Sequence, residues 1–310
     1  MAIPSTQLST WSNPGAVTAA QQTHLSIRQA LVAPSSPVAL RDPDVFLSGS
    51  YKNHTNVRAD SDVDVVAQLN ESWIADTTGL NVAEKSLYDR WASTATYNFQ
   101  AYRQDVLTAL QNYYTLPIDL VSLILGTPVV VSRNKCIRVN KASSSRLHAD
   151  VLPCLQYRRY RRFVSPQRQS YVEGVVFFAQ SGEQIRNFPK LHYDNGVTKN
   201  DENHTRGLYR PVVRMFKNAR SAAQERGLLA KEHSVSYFVE CLLYNVPDSL
   251  FNEDPKASFV GIMNWLTRNL SNTFVCQNGQ ESLFGTRPEQ WSLEKARALI
   301  ASLARLWKEW

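Results

Sequence analysis

Apolar residues recur along this chain at two spacings. A spacing of two dominates much of the first two-thirds, and a spacing of three to four dominates the rest. The stretch SNPGAVTAAQQTHLSIRQALVAP (12–34) predicts a helix, with Ser12 or Asn13 as N-cap, Pro14 near the first turn and Pro34 past the end. DPDVFLSGS (42–50) is a short apolar run into a Gly-Ser turn. DVDVVAQL (62–69) follows as a strand, in which Val63 and Val65 face a core while Asp62 and Asp64 share the opposite face. A long helical stretch is expected from about Tyr88 to Tyr114. TPVVVSRNKCIRVN (127–140) and LHADVLPCLQY (147–157) read as an antiparallel pair joined by the Ser-rich KASSS. VEGVVFFAQSGEQIRNF (172–188) repeats that pattern around a Ser181-Gly182 hairpin turn. From Tyr209 onward the chain reads as helical, and in its last helix Leu293, Ala296, Ile300, Leu303 and Trp307 fall on one stripe. The expected class is α+β: a strand-rich half enclosed by helices, then a helical half, with no internal repeat or obvious linker.

Charge narrows the partners. With 34 Lys and Arg against 27 Asp and Glu, the 310-residue chain carries a net +7, so an anionic partner is expected, nucleotide or nucleic acid. The four cysteines, Cys136, Cys154, Cys241 and Cys276, show neither Cys-x-x-Cys nor a Cys/His cluster of zinc spacing and read as reduced thiols. The N-terminus has no basic region followed by an apolar run, and no stretch approaches 18 consecutive apolar residues. A cytoplasmic protein without a membrane partner is the expectation.

Candidate chemistry starts at Asp62 and Asp64. Two like charges on one strand face share a proton, pair with a cation or hold a metal. Carboxylate oxygens suit Mg²⁺, which binds through one or two carboxylates together with substrate phosphates. Gly49-Ser50, just upstream, offers close backbone approach and a hydroxyl for anionic oxygens. Asp150 is the lone acid in an apolar strand, and with Asp62 and Asp64 it would complete a platform for two Mg²⁺ ions about 3.5–4 Å apart. Taken singly, Asp-x-Asp also reads as an acidic turn on a solvated edge strand, and Asp150 as an aspartate capping a turn.

The ordered set, Gly49-Ser50, Asp62-x-Asp64 and a distant Asp150 on another strand, resembles the cGAS/DncV-like nucleotidyltransferases (CD-NTases). These are relatives of cyclic GMP-AMP synthase and oligoadenylate synthetase in the polymerase-β-like superfamily. FPKLHYDNGVTKN (188–200), VVRMFKNAR (212–220) and SYFVECLLYNVPD (236–248) extend the resemblance, to bacterial members in particular, over nearly the whole chain. Asp60 falls outside the pattern and is placed in the loop, pairing with Arg58.

The resemblance implies a polymerase-β-like nucleotidyltransferase fold. Residues 1–205 would form a catalytic lobe with an N-terminal spine helix, and 206–310 a helical lobe closing the nucleotide cleft. Asp62, Asp64 and Asp150 become catalytic metal ligands for two Mg²⁺, with Mn²⁺ as a substitute, and Gly49 and Ser50 bind nucleotide. Lys217 matches the family lysine that reaches the phosphates, Ser236 the serine that hydrogen-bonds phosphate, and Tyr237 the tyrosine that stacks on the base. Without the resemblance, Lys217 reads equally as a solvated helix lysine and Tyr237 as core. The implied activity is condensation of nucleoside triphosphates, ATP and/or GTP, into a cyclic di- or trinucleotide that contains a purine. That product would act on a downstream effector in CBASS-type antiphage signalling. Competing readings are an enzyme adding nucleotides to RNA 3′ ends, on the same fold, and a catalytically silent RNA- or protein-binding relative. The basic cluster YRRYRRF (157–163), with Arg133, Lys135, Arg138, Lys141 and Arg168 near it in sequence, reads as a solvated edge, a nucleotide-steering patch, or the site of an RNA or protein regulator. The missing His/Cys cluster counts against double-stranded DNA as activator.

Overall fold

The computed structural model describes residues 2–15, 18–57, 62–114, 129–141 and 147–310. In chain order the elements used below are α1 (Ser5–Ser12), α2 (Thr18–Val32), β1 (Asp44–Leu47), α3 (Gly49–Asn53), β2 (Val63–Asp76), α4 (Val82–Trp91), α5 (Phe99–Tyr114), β3 (Val130–Ser132), β4 (Ile137–Val139), β5 (Ala149–Ser165), β6 (Arg168–Phe178) and β7 (Gln184–Asn187). The helices α6 (Pro189–Asn200), α7 (Tyr209–Glu225), α8 (Ser236–Tyr244), α9 (Pro255–Asn269) and α10 (Leu293–Glu309) complete the chain, and the class is α+β.

Two compact units emerge, and they interleave in sequence. One comprises Val17–Ser48 and Asp62–Phe188; the other comprises Met1–Ala16, Gly49–Ser61 and Pro189–Trp310. The expected lobes, 1–205 and 206–310, were contiguous. In the structure α1 packs on α7 and α9, and α3 packs on α6 and α8, so these early helices belong with the late ones.

The first unit is built on a seven-stranded mixed sheet of order β1-β2-β5-β4-β3, with β6 pairing β5 and β7 pairing β6. β2 and β5 run parallel, and the other pairs are antiparallel. The alternation read for DVDVVAQL is present, with Val63 and Val65 buried and Asp64 partly exposed on the other face; Ile137, Val139, Ala149 and Val151 of the neighbouring strands are likewise buried, and Asp150 is partly exposed beside Asp64. α2 packs against α5 and β2.

Three expectations shift. The predicted helix 12–34 is shorter: Ser12 ends the preceding helix α1 and Asn13 is its C-cap, because the residue before Pro14 is driven extended (φ −71°, ψ 145°), and the helix within this stretch is α2, Thr18–Val32. The stretch 88–114 is split. α4 starts earlier, with a capping box between Asn81 and Glu84, and ends at Trp91; the Asn98 side chain then caps the start of α5. Of the segment 127–140, the described residues 129–140 fold as the hairpin β3–β4, and it is β4 that pairs antiparallel with β5. The hairpin turn at Ser181-Gly182 matches the chain reversal between β6 and β7, with Gly182 at φ +85°. Most of KASSS, Asp60 and Arg58 lie outside the described residues.

The second unit is helical. α7 is its centre, with Val212, Val213, Met215, Phe216 and Ala219 buried against α1, α8, α9 and α10. The stripe predicted on α10 faces this core: Ala296, Ile300 and Leu303 are buried, and Trp307 stacks on Phe259 with ring centroids 5.3 Å apart. Among the described residues no helix is long and apolar enough to cross a membrane.

Candidate active site

Register creates the carboxylate platform. Asp64 on β2 and Arg138 on β4 both stand directly opposite Asp150 on β5, so the three side chains form a row across adjacent strands on one face. The flanking rows, Val63–Ala149–Val139 and Val65–Val151–Ile137, turn to the other face and are buried, which holds the charged row out of the core. Asp62, two residues before Asp64, reaches the same side. The Arg138 fork donates to both of its oxygens, Nη1 to Oδ2 at 2.5 Å and Nη2 to Oδ1 at 2.7 Å. The same Nη1 also donates to Asp150 Oδ1 at 3.0 Å. Burial disfavours the Arg138 charge, yet the two carboxylates outweigh it and raise its pKa above the ordinary arginine value. Beside this row, burial pushes the Cys136 thiol up to about 12, and the neighbouring Asp150 carboxylate adds to the effect.

Among the described residues no three His, Cys, Asp or Glu side chains are arranged to hold a metal ion. Asp62 and Asp150 are instead gathered on a guanidinium whose side chain is 10% exposed. That arrangement is itself a test of fit. Two half-buried carboxylates already converge on one positive group, with a third in register beside them, and an all-oxygen donor set of this kind suits a hard divalent cation. Arg138, which the sequence reading grouped with the basic cluster, belongs to the platform. Only strand register reveals this, since nothing in local sequence links residue 138 to residue 62.

Gly49 opens α3 with φ +60°, a left-handed conformation that glycine adopts without strain. Ser48, its chain neighbour, donates its N–H to Asp64 O at 2.9 Å. Ser50 is partly exposed in the first turn of the same short helix.

In the helical unit the sequence-predicted residues have partners the sequence did not show. Lys217 is 1% exposed; its ammonium pairs with Glu240 and donates to the hydroxyl and carbonyl of Thr55 at 3.0 and 3.2 Å. It is therefore neither a solvated helix lysine nor, in this arrangement, one extended toward a ligand. Glu240 also accepts from Thr55 Oγ1 at 2.8 Å and Asn53 Nδ2 at 3.0 Å, and it hydrogen-bonds His192 at 3.0 Å. Burial alone would raise the Glu240 pKa, but Lys217 and His192 hold it well below the usual carboxylate range. Ser236 opens α8, and its hydroxyl accepts from Arg220 Nη1 at 3.1 Å. Tyr237 is partly buried, one ring face stacked on His192 at 5.1 Å and 26°, its hydroxyl accepting from Asn278 at 3.3 Å. Glu240, Thr55, His192 and Arg220 were missed because their partners lie far away in the chain.

The basic cluster lies along β5 and divides by side-chain environment. Arg158 lies over the Trp73 ring at 3.7 Å and Arg159 pairs with Asp76 at 3.2 Å, whereas Arg161 and Arg162 are exposed.

Residues 194–308 match the family model of the cGAS/DncV-like nucleotidyltransferase C-terminal helical domain. Over its full length the chain is 43% identical to a cyclic UMP-AMP synthase of Rhodothermus marinus, covering 99% of that protein. It is 36% identical to the cyclic nucleotide synthase CdnE01 of Staphylococcus haemolyticus, with 100% of each chain covered. The solved Rhodothermus marinus CdnE c-UMP-AMP synthase with Apcpp and Upnpp superposes with a TM-score of 0.83 at 42% identity, over 99% of this chain and 97% of that one. With relatives this similar from end to end, the chain belongs to the bacterial cGAS/DncV-like nucleotidyltransferase family.

Proposed function

We propose that this protein condenses two nucleoside triphosphates into a cyclic dinucleotide, with ATP and UTP as the first pair to test. The observation that carries the reading is the row Asp64–Asp150–Arg138 with Asp62 beside it, a carboxylate platform set by strand register in a chain 43% identical to a cyclic UMP-AMP synthase. Asp62, Asp64 and Asp150 would hold the divalent ions, Mg²⁺ or in its place Mn²⁺. When bound, such ions neutralise charge on a triphosphate and acidify an attacking ribose hydroxyl.

The chain's own residues supply the rest. Asp150 orients the attacking hydroxyl or accepts its proton. Gly49 and Ser50 offer backbone and hydroxyl contacts to phosphate oxygens. Ser236, already held by Arg220, presents a hydroxyl at the start of α8, where the helix dipole favours anions. Tyr237, with one face packed on His192, offers its ring to a base; purines give the larger overlap, which fits adenine as one of the two. Lys217 meets phosphate by exchanging partners with Glu240.

Each of two successive transfers makes one phosphodiester and releases one pyrophosphate, and the second closes the ring. The product would act as a second messenger on a downstream effector in antiphage defence. RNA 3′-end addition and a silent binding role are not carried forward, because the relatives matched from end to end are cyclic nucleotide synthases. Purified protein with Mg²⁺ and each pair of labelled triphosphates tests the assignment. A phosphatase-resistant spot requiring both ATP and UTP is expected, and synthesis from a different pair would replace the base assignment alone.

A further inference from the structure

Arg138 has an unusual position for a residue in a catalytic platform. It is a cation placed between two of the three carboxylates that would bind cations, in line with Asp150 on one adjacent strand and clamped in bidentate fashion onto Asp62. The guanidinium is held from its Nη side; its buried Nε has no hydrogen-bond partner among the described residues. A buried donor without a partner is costly, so the pairing is less well satisfied than a permanent structural bridge would be. Removing the guanidinium from the platform would leave two half-buried carboxylates at close range, which is unfavourable unless another cation replaces it.

We infer that Arg138 is the resting counter-ion of the platform and competes with divalent metal for Asp62 and Asp150. This rests on the metal-ligand reading of the three aspartates. In the resting protein Arg138 neutralises Asp62 and Asp150 and keeps the carboxylates gathered; metal loading requires the guanidinium to yield both. Divalent-ion affinity in the absence of nucleotide is therefore low, and Arg138 sets it. An incoming triphosphate offers the released fork a phosphate partner of matching geometry, which favours loading when substrate is present.

The test is Mn²⁺ binding to the nucleotide-free full chain, followed by electron paramagnetic resonance of the free ion, for the wild type, Arg138→Met and Arg138→Lys. Arg138→Met should bind Mn²⁺ at least tenfold more tightly than wild type, and Arg138→Lys, which loses the bidentate fork, should fall between them. If Arg138→Met does not give a cooperative melting curve, Arg138→Lys carries the test, with at least a threefold gain expected. Adding Asp150→Asn to either variant should abolish the gain. Mn²⁺ affinity that is unchanged in the arginine variants but still lost in Asp150→Asn would overturn the competition and leave the metal platform standing. Binding that ignores Asp62, Asp64 and Asp150 in every background would overturn both.

Discussion

At the scale of single residues, the account turns on charges whose partners are specified by geometry. Asp62, Asp64 and Asp150 share one sheet face, so replacing any one of them by Asn removes a carboxylate charge without touching the buried apolar rows behind it. Each substitution should slow pyrophosphate release about a thousandfold, about 4 kcal/mol of transition-state stabilisation, in a chain that still folds, although Asp62→Asn and Asp150→Asn also take a partner from Arg138 and lower the melting temperature. Near-normal turnover in one variant would remove that residue from the platform. Glu240 makes a different prediction. Breaking a buried pair from one side leaves a charge uncompensated, so Glu240→Gln, which strands the Lys217 ammonium, should cost about 3–5 kcal/mol in denaturant unfolding. The pH dependence follows from the direction of the shift. Because the folded pKa lies well below the glutamate value of 4.5, the pair's stabilisation is fully present above about pH 4.5 and is lost as the pH falls toward the folded value. Glu240→Gln should flatten that part of the acid-stability profile. A variant as stable as wild type, with an unaltered profile, would contradict the pairing.

At the scale of elements, β5 shows what the sequence discloses and what it withholds. Its apolar run and its single acid were legible; the face on which Asp150 falls was set by its register with Asp64 and Arg138. That the strand runs on through YRRYRRF to Ser165 was not legible, because arginines carry no strand signature of their own; pairing with β6 and with Trp73–Asp76 of β2 keeps that segment extended. The break between α4 and α5 was hidden for a related reason: α4 ends at Trp91, and the restart rests on a single polar cap, Asn98, within a stretch whose apolar periodicity resumes on either side. The arginines of β5 should therefore behave unequally. Arg158→Ala loses a cation–aromatic contact with Trp73 and should destabilise the fold by about 1–2 kcal/mol, whereas Arg161→Ala should stay within about 0.5 kcal/mol. Chemical denaturation of the two variants compares them directly, and equal losses would refute the division. If the exposed arginines bind a polyanion, doubling Arg161→Ala with Arg162→Ala should flatten the salt dependence of single-stranded RNA affinity.

At the scale of the whole molecule, two units interleave in sequence: one carries the aspartates on a sheet face, and the other carries the Lys217–Glu240 pair and the His192–Tyr237 stack on helices. The ordered motifs were enough to read the family from the sequence, because Gly-Ser, Asp-x-Asp and a distant Asp are short patterns with fixed order. The groups that tune them were not legible. Arg138 meets Asp62 across 76 residues and Lys217 meets Glu240 across 23, and neither pairing leaves a local trace. The central claim is that this chain closes a ring from nucleoside triphosphates alone. Mass spectrometry of the phosphatase-treated product of ATP, UTP and Mg²⁺, with no RNA added, tests it most directly. The account predicts a species with the mass of two nucleoside monophosphates less two waters, formed with release of two pyrophosphates and absent with Asp150→Asn; only linear chains that phosphatase shortens, or a product that appears only when RNA is supplied, would contradict it.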